Sequence, residues 1–467
     1  MKVLSNLIFH FFVLQIAFSQ STATVYGKIT NPTSNTVYIR YYRDLVSYKQ
    51  VFADSARLDH DGRFAMTFPW KKSFQAEFVH GKEMTKMFIG VGDNIKIELD
   101  ANRFDESIIY SGKGAEANNY LAQKELKFPK GMASGIYKMQ EKEFVNFIDS
   151  LHNAQLNLFN SYFSKIGNKS SSTKAFKEYE DAEINYYCWE AKNDYPGMYT
   201  YFNKLKDDVI LSDSYYSFLK QVSINNNKAL NSISYLQFVD SYINEDVRKI
   251  YKQDTTKKII EIKEELIEKH LTGETKSYAL ANWAYGILNR NSDVINGKRI
   301  IEKYKSNSKD KQYAQMLDQA FKEAARLAVG NPAPTFSYAD LTGKMVSLTD
   351  FKGKIVYLDI WASWCGPCLM EIPHAKKLKE QLEEKDVVFL YVSIDENEEA
   401  WKKLVTEKEL KGVHLISKGN FNSDISKLYN VRGIPRYFII DKEGKIADNN
   451  AKRPSGNVQR DLEEFLK

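Results

Sequence analysis

The apolar period changes twice along this 467-residue chain, and the two changes limit what it can fold into. From Val25 to about Ile109 apolar residues alternate, as in Phe64-Met66-Phe68 and Ile95-Ile97-Leu99. Asn31-Pro32, Asp61-Gly62 and Gly92-Asp93-Asn94 supply turns between these runs. A period of two with short turns predicts antiparallel hairpins, hence a β-sandwich-like module over residues 20–115, ended by SGKG at 111–114. From about Glu116 to Leu327 the spacing becomes helical: Phe144, Ile148, Leu151, Leu158 and Tyr162, or Ile259, Ile262 and Leu266 with Gly273 as a stop signal. This predicts an α-helical middle domain over 116–328, with Lys, Asn and Glu on its wet faces and no fixed-period repeat. GNPAPTF at 330–336, with Pro332 and Pro334, ends the helical pattern. Beyond it, strands at 345–348, 355–360, 387–394 and 437–440 alternate with helices from about Pro367, over 398–409 and near 458–466. That order predicts a C-terminal α/β domain over 329–467 with at least part of its sheet parallel, so the chain as a whole is multidomain.

Composition narrows the function classes. The 29 Tyr and 27 Phe supply apolar area for several cores, in keeping with two or three domains at this length. The net charge of +6 arises from 66 basic and 60 acidic residues with no dense Lys/Arg block. That is a solvated surface rather than a nucleic-acid footprint, and no nucleic-acid partner is expected.

The first residues, MKVLSNLIFHFFVLQIAFSQ, place one Lys before an apolar run and the small-x-small pattern Ala17-Phe18-Ser19. We read residues 1–19 as a signal peptide cleaved after Ser19, which removes Lys2 and changes the net charge from +6 to 6 − 1 = +5. An uncleaved anchor fits less well. Residues 3–18 as a helix would span about 24 Å against a hydrocarbon core of about 30 Å, and Asn6, His10 and Gln15 interrupt the run. No Cys near the junction could carry a lipid, and no later stretch is apolar enough to span a membrane. The expected location is the periplasm or cell envelope.

WASWCGPC at 361–368 contains two of the three cysteines. An exported chain stapled by disulfides would carry a larger, scattered set, so the close pair is not a scaffold. Cys188, in NYYCWEAK, reads as a small buried apolar residue. The same Cys-x-x-Cys spacing could be half of a zinc site, but no second pair exists and His374 and His414 stand isolated, so no metal is expected. A redox dithiol needs one sulfur stabilised as thiolate and another within reach. The strand before the motif and the helix from Gly366-Pro367 put Cys365 at a helix N-terminus, where unsatisfied N–H groups favour negative charge. Cys365 is then the nucleophile. Cys368, one turn later and farther inside, is placed to resolve a mixed disulfide, and Pro367 is tolerated in the first turn.

LDIWASWCGPC, Pro373 and VRGIP at 431–435 resemble thioredoxin, and the longer surround from GNPAPTF to CLMEIP resembles the exported TlpA/ResA-type thiol-disulfide oxidoreductases. GDNIKIELD and YSGKGAEANNYL are similar to the accessory region that precedes such domains in Bacteroidetes proteins. The resemblance implies a thioredoxin-like fold for 329–467 and adds residues that the cysteines alone do not give. Pro435 matches the family's cis-proline, which leaves the backbone of Ile434 free to pair with a substrate segment. Asp359 matches the buried acid that takes the proton of the inner thiol, Cys368. Glu371 matches the acid that follows the second Cys, although an exposed helix carboxylate would look the same in sequence. Trp364 is expected to shield the dithiol and meet substrate, and Trp361 to be core. The Gly-Pro dipeptide and Ile434 are those of thioredoxin, implying reduction or isomerisation of disulfides in envelope proteins, with electrons from a DsbD/CcdA-like membrane donor and no bound cofactor.

Two rivals remain at this point. A peroxidase of the peroxiredoxin kind shares the APTF segment, but its Pro-x-x-x-Thr-x-x-Cys is absent, with Ala362 three residues before Cys365. A redox-sensing binding or envelope-assembly protein would carry the same dithiol without turnover.

Overall fold

The structure, a computed structural model, describes residues 21–128, 134–166, 171–291 and 293–467; the expected signal peptide, with Lys2 and Ser19, lies outside them. Alternation of the kind seen in Phe64-Met66-Phe68 puts every second side chain on one face, and these three residues are buried as one row of a core. The strands are β1 (Thr22–Thr30), β2 (Thr36–Tyr42), β3 (Gln50–Arg57), β4 (Arg63–Pro69), β5 (Phe74–His80), β6 (Glu83–Ile89) and β7 (Asn94–Asp100). A short helix α1 (Phe104–Ser107) precedes β8 (Ile109–Lys113). They form two four-stranded sheets, β4-β1-β7-β8 and β3-β2-β5-β6. Ile95 and Ile97 from one sheet share a core with Val37, Ile39 and Phe78 from the other. The hairpin expectation needs one correction: β1 pairs with β7 in parallel. The chain leaves β1 for the second sheet before it returns, and alternation alone carries no information on strand direction. Gly27 permits the pairing, since a Cβ there would lie 1.8 Å from the Ile97 carbonyl oxygen.

Helices α2 (Ala115–Lys127), α3 (Glu141–Ile166), α4 (Ser171–Phe202), α5 (Ile233–Gln253) and α6 (Ile259–His270) follow. Phe144 and Ile148 of α3 are fully buried, and Phe144 stacks on Tyr195 of α4 with ring centroids 4.1 Å apart. Cys188 sits in this core, where burial pushes its thiol up to about 12 and leaves it inert as a nucleophile.

The described residues divide into two compact units, one ending at Leu271 and the next beginning at Thr272. This boundary lies well before the sequence-derived one at 328/329. Helices α7 (Gly273–Gly286), α8 (Val294–Asn307) and α9 (Lys311–Arg326) fall in the second compact unit, ahead of its strands. Gly273, expected as a stop, opens α7. Leu327 enters the core of the α/β domain, its carbonyl accepts from Asn449 Nδ2 at 2.9 Å, and Arg326 Nη2 donates to the Leu428 carbonyl at 2.7 Å. Helical period reveals the kind of element but not the surface against which it packs.

The domain continues with β9 (Ser337–Asp340), β10 (Met345–Ser347), β11 (Ile355–Trp361), α10 (Gly366–Gln381), β12 (Val387–Ser393), α11 (Glu398–Glu407) and β13 (Val413–Ile416). It ends with α12 (Asp424–Leu428), β14 (Arg436–Ile440), β15 (Ile446–Asp448) and α13 (Val458–Leu466). The sheet order is β10-β9-β13-β12-β11-β14-β15, with β11, β12 and β13 parallel and β14 antiparallel to β11. Every residue of β11 is buried, as expected of a strand covered on both faces. The site lies at the carboxyl end of this strand. Among the described residues no helix is long and apolar enough to cross a membrane.

Candidate active site

β11 ends at Trp361, and four residues later Cys365 caps the N-terminus of α10. The Cys365 N–H bonds the Ala362 carbonyl at 3.1 Å, tightening the turn that joins strand to helix. Cys365 Sγ is bonded to Cys368 Sγ and accepts from the Cys368 N–H at 3.2 Å, one of the donors a helix leaves unpaired at its start. Pro367 occupies the first turn, where its missing N–H has no helical partner to lose. Both sulfurs are nearly covered, Cys365 at 4% and Cys368 at 5% exposure, while Trp364, Gly366 and Pro367 stand exposed around them. The expectation that Cys368 lies deeper is thus not met in exposure. The two sulfurs differ in what they face, because Cys368, but not Cys365, lines a cavity of about 520 Å³.

That cavity is also lined by Asp359, Trp361, Glu371 and Tyr391, with the exposed Lys376 and Glu380 at its rim. Asp359 lies on β11 between Tyr391 of β12 and Tyr437 of β14. Its Oδ1 is buried and makes no hydrogen bond among the described residues. Burial, and next the charge of Glu371, push the Asp359 carboxyl well above the usual carboxylate range. Glu371, on α10 one turn after Cys368, is buried rather than the exposed helix carboxylate that sequence left open. Its two oxygens accept from the Ser455 N–H and the Ser455 hydroxyl, each at 2.9 Å, and Arg453 Nη1 stands 3.9 Å away.

A third acidic side chain fixes the turn itself. Asp395, 1% exposed, accepts from the Ser363 N–H at 2.8 Å, the Ser363 hydroxyl at 2.7 Å and the Ser393 hydroxyl at 2.6 Å. The Ile434–Pro435 peptide is cis, and Ile360 pairs with Arg436, so the register brings Pro435 alongside the end of β11. Ile434 and Pro435 are half-buried. Trp364 is 52% exposed and meets the exposed Phe421 edge-on at 6.1 Å, whereas Trp361 is core. His374 is an exposed residue of α10. His414 lies buried on β13, stacked against Tyr391 at 4.6 Å, where burial lowers it to about 4. Among the described residues no group of three or more His, Cys, Asp or Glu side chains could hold a metal ion.

Residues 328–465 match the Redoxin family model. The thiol-disulfide oxidoreductase ResA of Bacillus cereus (strain ATCC 10987 / NRS 248) is 37% identical over 147 residues, spanning 32% of this chain and 82% of that protein. The chain belongs to the ResA-type thiol-disulfide oxidoreductases. The thioredoxin-like protein YneN of Bacillus subtilis (strain 168) is 35% identical over 129 residues, 27% of this chain and 74% of that protein. Among solved structures, the thioredoxin domain of a thiol-disulfide oxidoreductase from Bacteroides vulgatus is 33% identical, covering 30% of this chain and 99% of that one, with a TM-score of 0.28.

As a ResA-type enzyme the chain catalyses thiol–disulfide exchange on protein disulfides, and Cys365 and Cys368 are joined as a disulfide. Sequence reasoning missed Asp395, Phe421, Arg453 and Ser455 around this site. Each comes from a loop distant in the chain, and none belongs to a spacing pattern. The turn composition of Arg453-Pro454-Ser455-Gly456 was visible, but it signals only a loop.

Proposed function

We propose that this is an exported reductase or isomerase of envelope-protein disulfides. The observation that carries the mechanism is that Cys368, Asp359 and Glu371 share one cavity while Cys365 caps the helix. In the reduced enzyme the Cys365 thiolate attacks a substrate disulfide. One substrate sulfur bonds Cys365 and the other leaves as thiolate. Cys368 gives its proton to the Asp359 carboxylate and attacks Cys365 Sγ. The Cys365–Cys368 disulfide forms, the second substrate sulfur leaves, and two electrons have passed to the substrate. A protonated Asp359 in the disulfide state, in line with its raised value, is what this sequence of steps leaves behind. Glu371 influences that proton through its charge. Ile434, beside Pro435, offers backbone to an extended substrate segment, and Trp364 with Phe421 offers an apolar contact. A DsbD/CcdA-like membrane donor would return the two electrons, and no bound cofactor enters the cycle. Export rests on the N-terminal pattern of residues 1–19.

The test is trapping. Cys368→Ser should accumulate mixed disulfides through Cys365 with envelope proteins, and the intact dithiol should reduce insulin catalytically with dithiothreitol. Partners no more abundant than with Cys365→Ser, together with one stoichiometric exchange and no turnover, would replace this reading with a redox sensor.

A further inference from the structure

A carboxylate beside a reacting thiol acts on it according to where its charge is held, so the groups that orient Glu371 matter as much as Glu371 itself. Four groups face it from neighbouring elements: Asp359 and Tyr357 on β11, Tyr437 on β14 and Arg453 in the segment after β15. Cys368 lies one turn earlier on its own helix. Neither Tyr357 nor Tyr437 hydrogen-bonds Glu371: the Tyr357 hydroxyl donates to the Lys452 carbonyl at 2.7 Å, and the Tyr437 hydroxyl has no partner among the described residues. The direct contacts to Glu371 come from Ser455.

The segment that carries Ser455 is itself anchored. Tyr357 holds it at Lys452, Arg436 Nη2 donates to the Asn449 carbonyl at 2.6 Å, and Lys452 pairs with Asp461 of α13 at 2.8 Å. The carboxylate is therefore tied to β11 and β14 through this strap as well as to α10 through its own backbone.

We propose that Ser455 is a positioning residue for the dithiol: by donating one hydrogen bond to each Glu371 oxygen, it fixes the carboxylate in the cavity shared with Cys368 and Asp359. This rests on the reading that Glu371 influences proton movement at Cys368. Ser455 touches neither sulfur, so it acts only through Glu371. Ser455 is an exposed residue apart from this contact, so its replacement should leave the fold intact. The backbone N–H bond survives in Ser455→Ala, which isolates the hydroxyl.

The experiment uses the reduced full chain reacting with excess insulin, its rate followed from about pH 4 to about pH 9. Glu371→Gln should flatten one limb of the profile. Ser455→Ala should change the rate on the same limb by a factor of about three, because it removes one of the two hydrogen bonds that hold the carboxylate in place. Ser455→Thr should restore the wild-type profile, and Ser455→Ala should add nothing in the Glu371→Gln background. If Glu371→Gln flattens the limb and Ser455→Ala overlays wild type, the positioning role is wrong and the role of Glu371 stands. If neither variant changes the profile, both fall. A change from Ser455→Ala that persists without Glu371 also overturns the proposal, since Ser455 would then act by another route.

Discussion

A carboxyl group on a strand buried on both faces lowers stability whenever it is charged, and Asp359 is such a group. Its folded-state value is raised above the unfolded one, so the folded chain keeps a proton that the unfolded chain releases above about pH 4. Stability attributable to Asp359 is then complete below that pH and falls as pH rises toward the folded value, by about 1.4 kcal/mol for each unit of separation. Asp359→Asn removes this slope. The variant should unfold at higher denaturant than wild type, with a gain larger at about pH 8 than at about pH 5, and should reduce insulin about 100-fold more slowly or worse. A variant no more stable at either pH, or as fast as wild type, would deny Asp359 its buried proton or its use. The Cys-x-x-Cys spacing made the two sulfurs legible in sequence, because their chemistry requires them close in the chain. Asp359, Glu371 and Pro435 needed a family resemblance. Ser455 had no such route, lying 84 residues from the carboxylate it binds.

At the scale of elements, the site is a joint between three strand ends. Asp395 follows β12, its carboxylate holds Ser363 after β11, and the Ser417 N–H after β13 bonds the Ser393 carbonyl at 2.8 Å. Asp395→Ala leaves the Ser363 N–H and hydroxyl without their acceptor in a mostly closed place. Unfolding free energy should fall by about 2 to 3 kcal/mol, read as a lower urea midpoint at unchanged m. Exchange should slow as well, because the turn presenting Cys365 loses its brace. A midpoint within error of wild type would show that the loop is held by its backbone alone. The elements that escaped sequence reading here are the short ones. β9 and β13 have four residues each and β15 three, too few for a period of two to show, although the three-residue β10 was read at 345–348. β11, by contrast, was visible as a seven-residue apolar run bounded by Gly353 and the dithiol turn. His414 shows the consequence: isolated in the sequence, it proves to be a buried residue of β13 packed on Tyr391.

For the whole molecule, the instructive difference is the boundary at 271/272. Pro332 and Pro334 mark the end of helical periodicity, and that chemical signal is real, yet the second compact unit begins three helices earlier. Leu327 is 3% exposed in the α/β core, Phe336 packs in the same core, and the Asn449 amide closes on the Leu327 carbonyl. Glu323 of α9 adds an ion pair with Arg432 at 3.5 Å, a surface contact that contributes little. A chain beginning at Thr272 keeps all of these contacts, and one beginning at Val329 keeps Phe336 but loses those of Glu323 and Leu327. Burying a Leu contributes about 2 kcal/mol and a satisfied buried amide about 1 more, so the shorter chain should be less stable by about 3 kcal/mol. Urea melts of the two chains with the dithiol intact test this, the longer one giving the higher midpoint and, by exposing more surface, the larger m. Coincident transitions would mean that α7–α9 attach to the α/β domain without supporting it, and the boundary implied by the prolines would then be the energetic one.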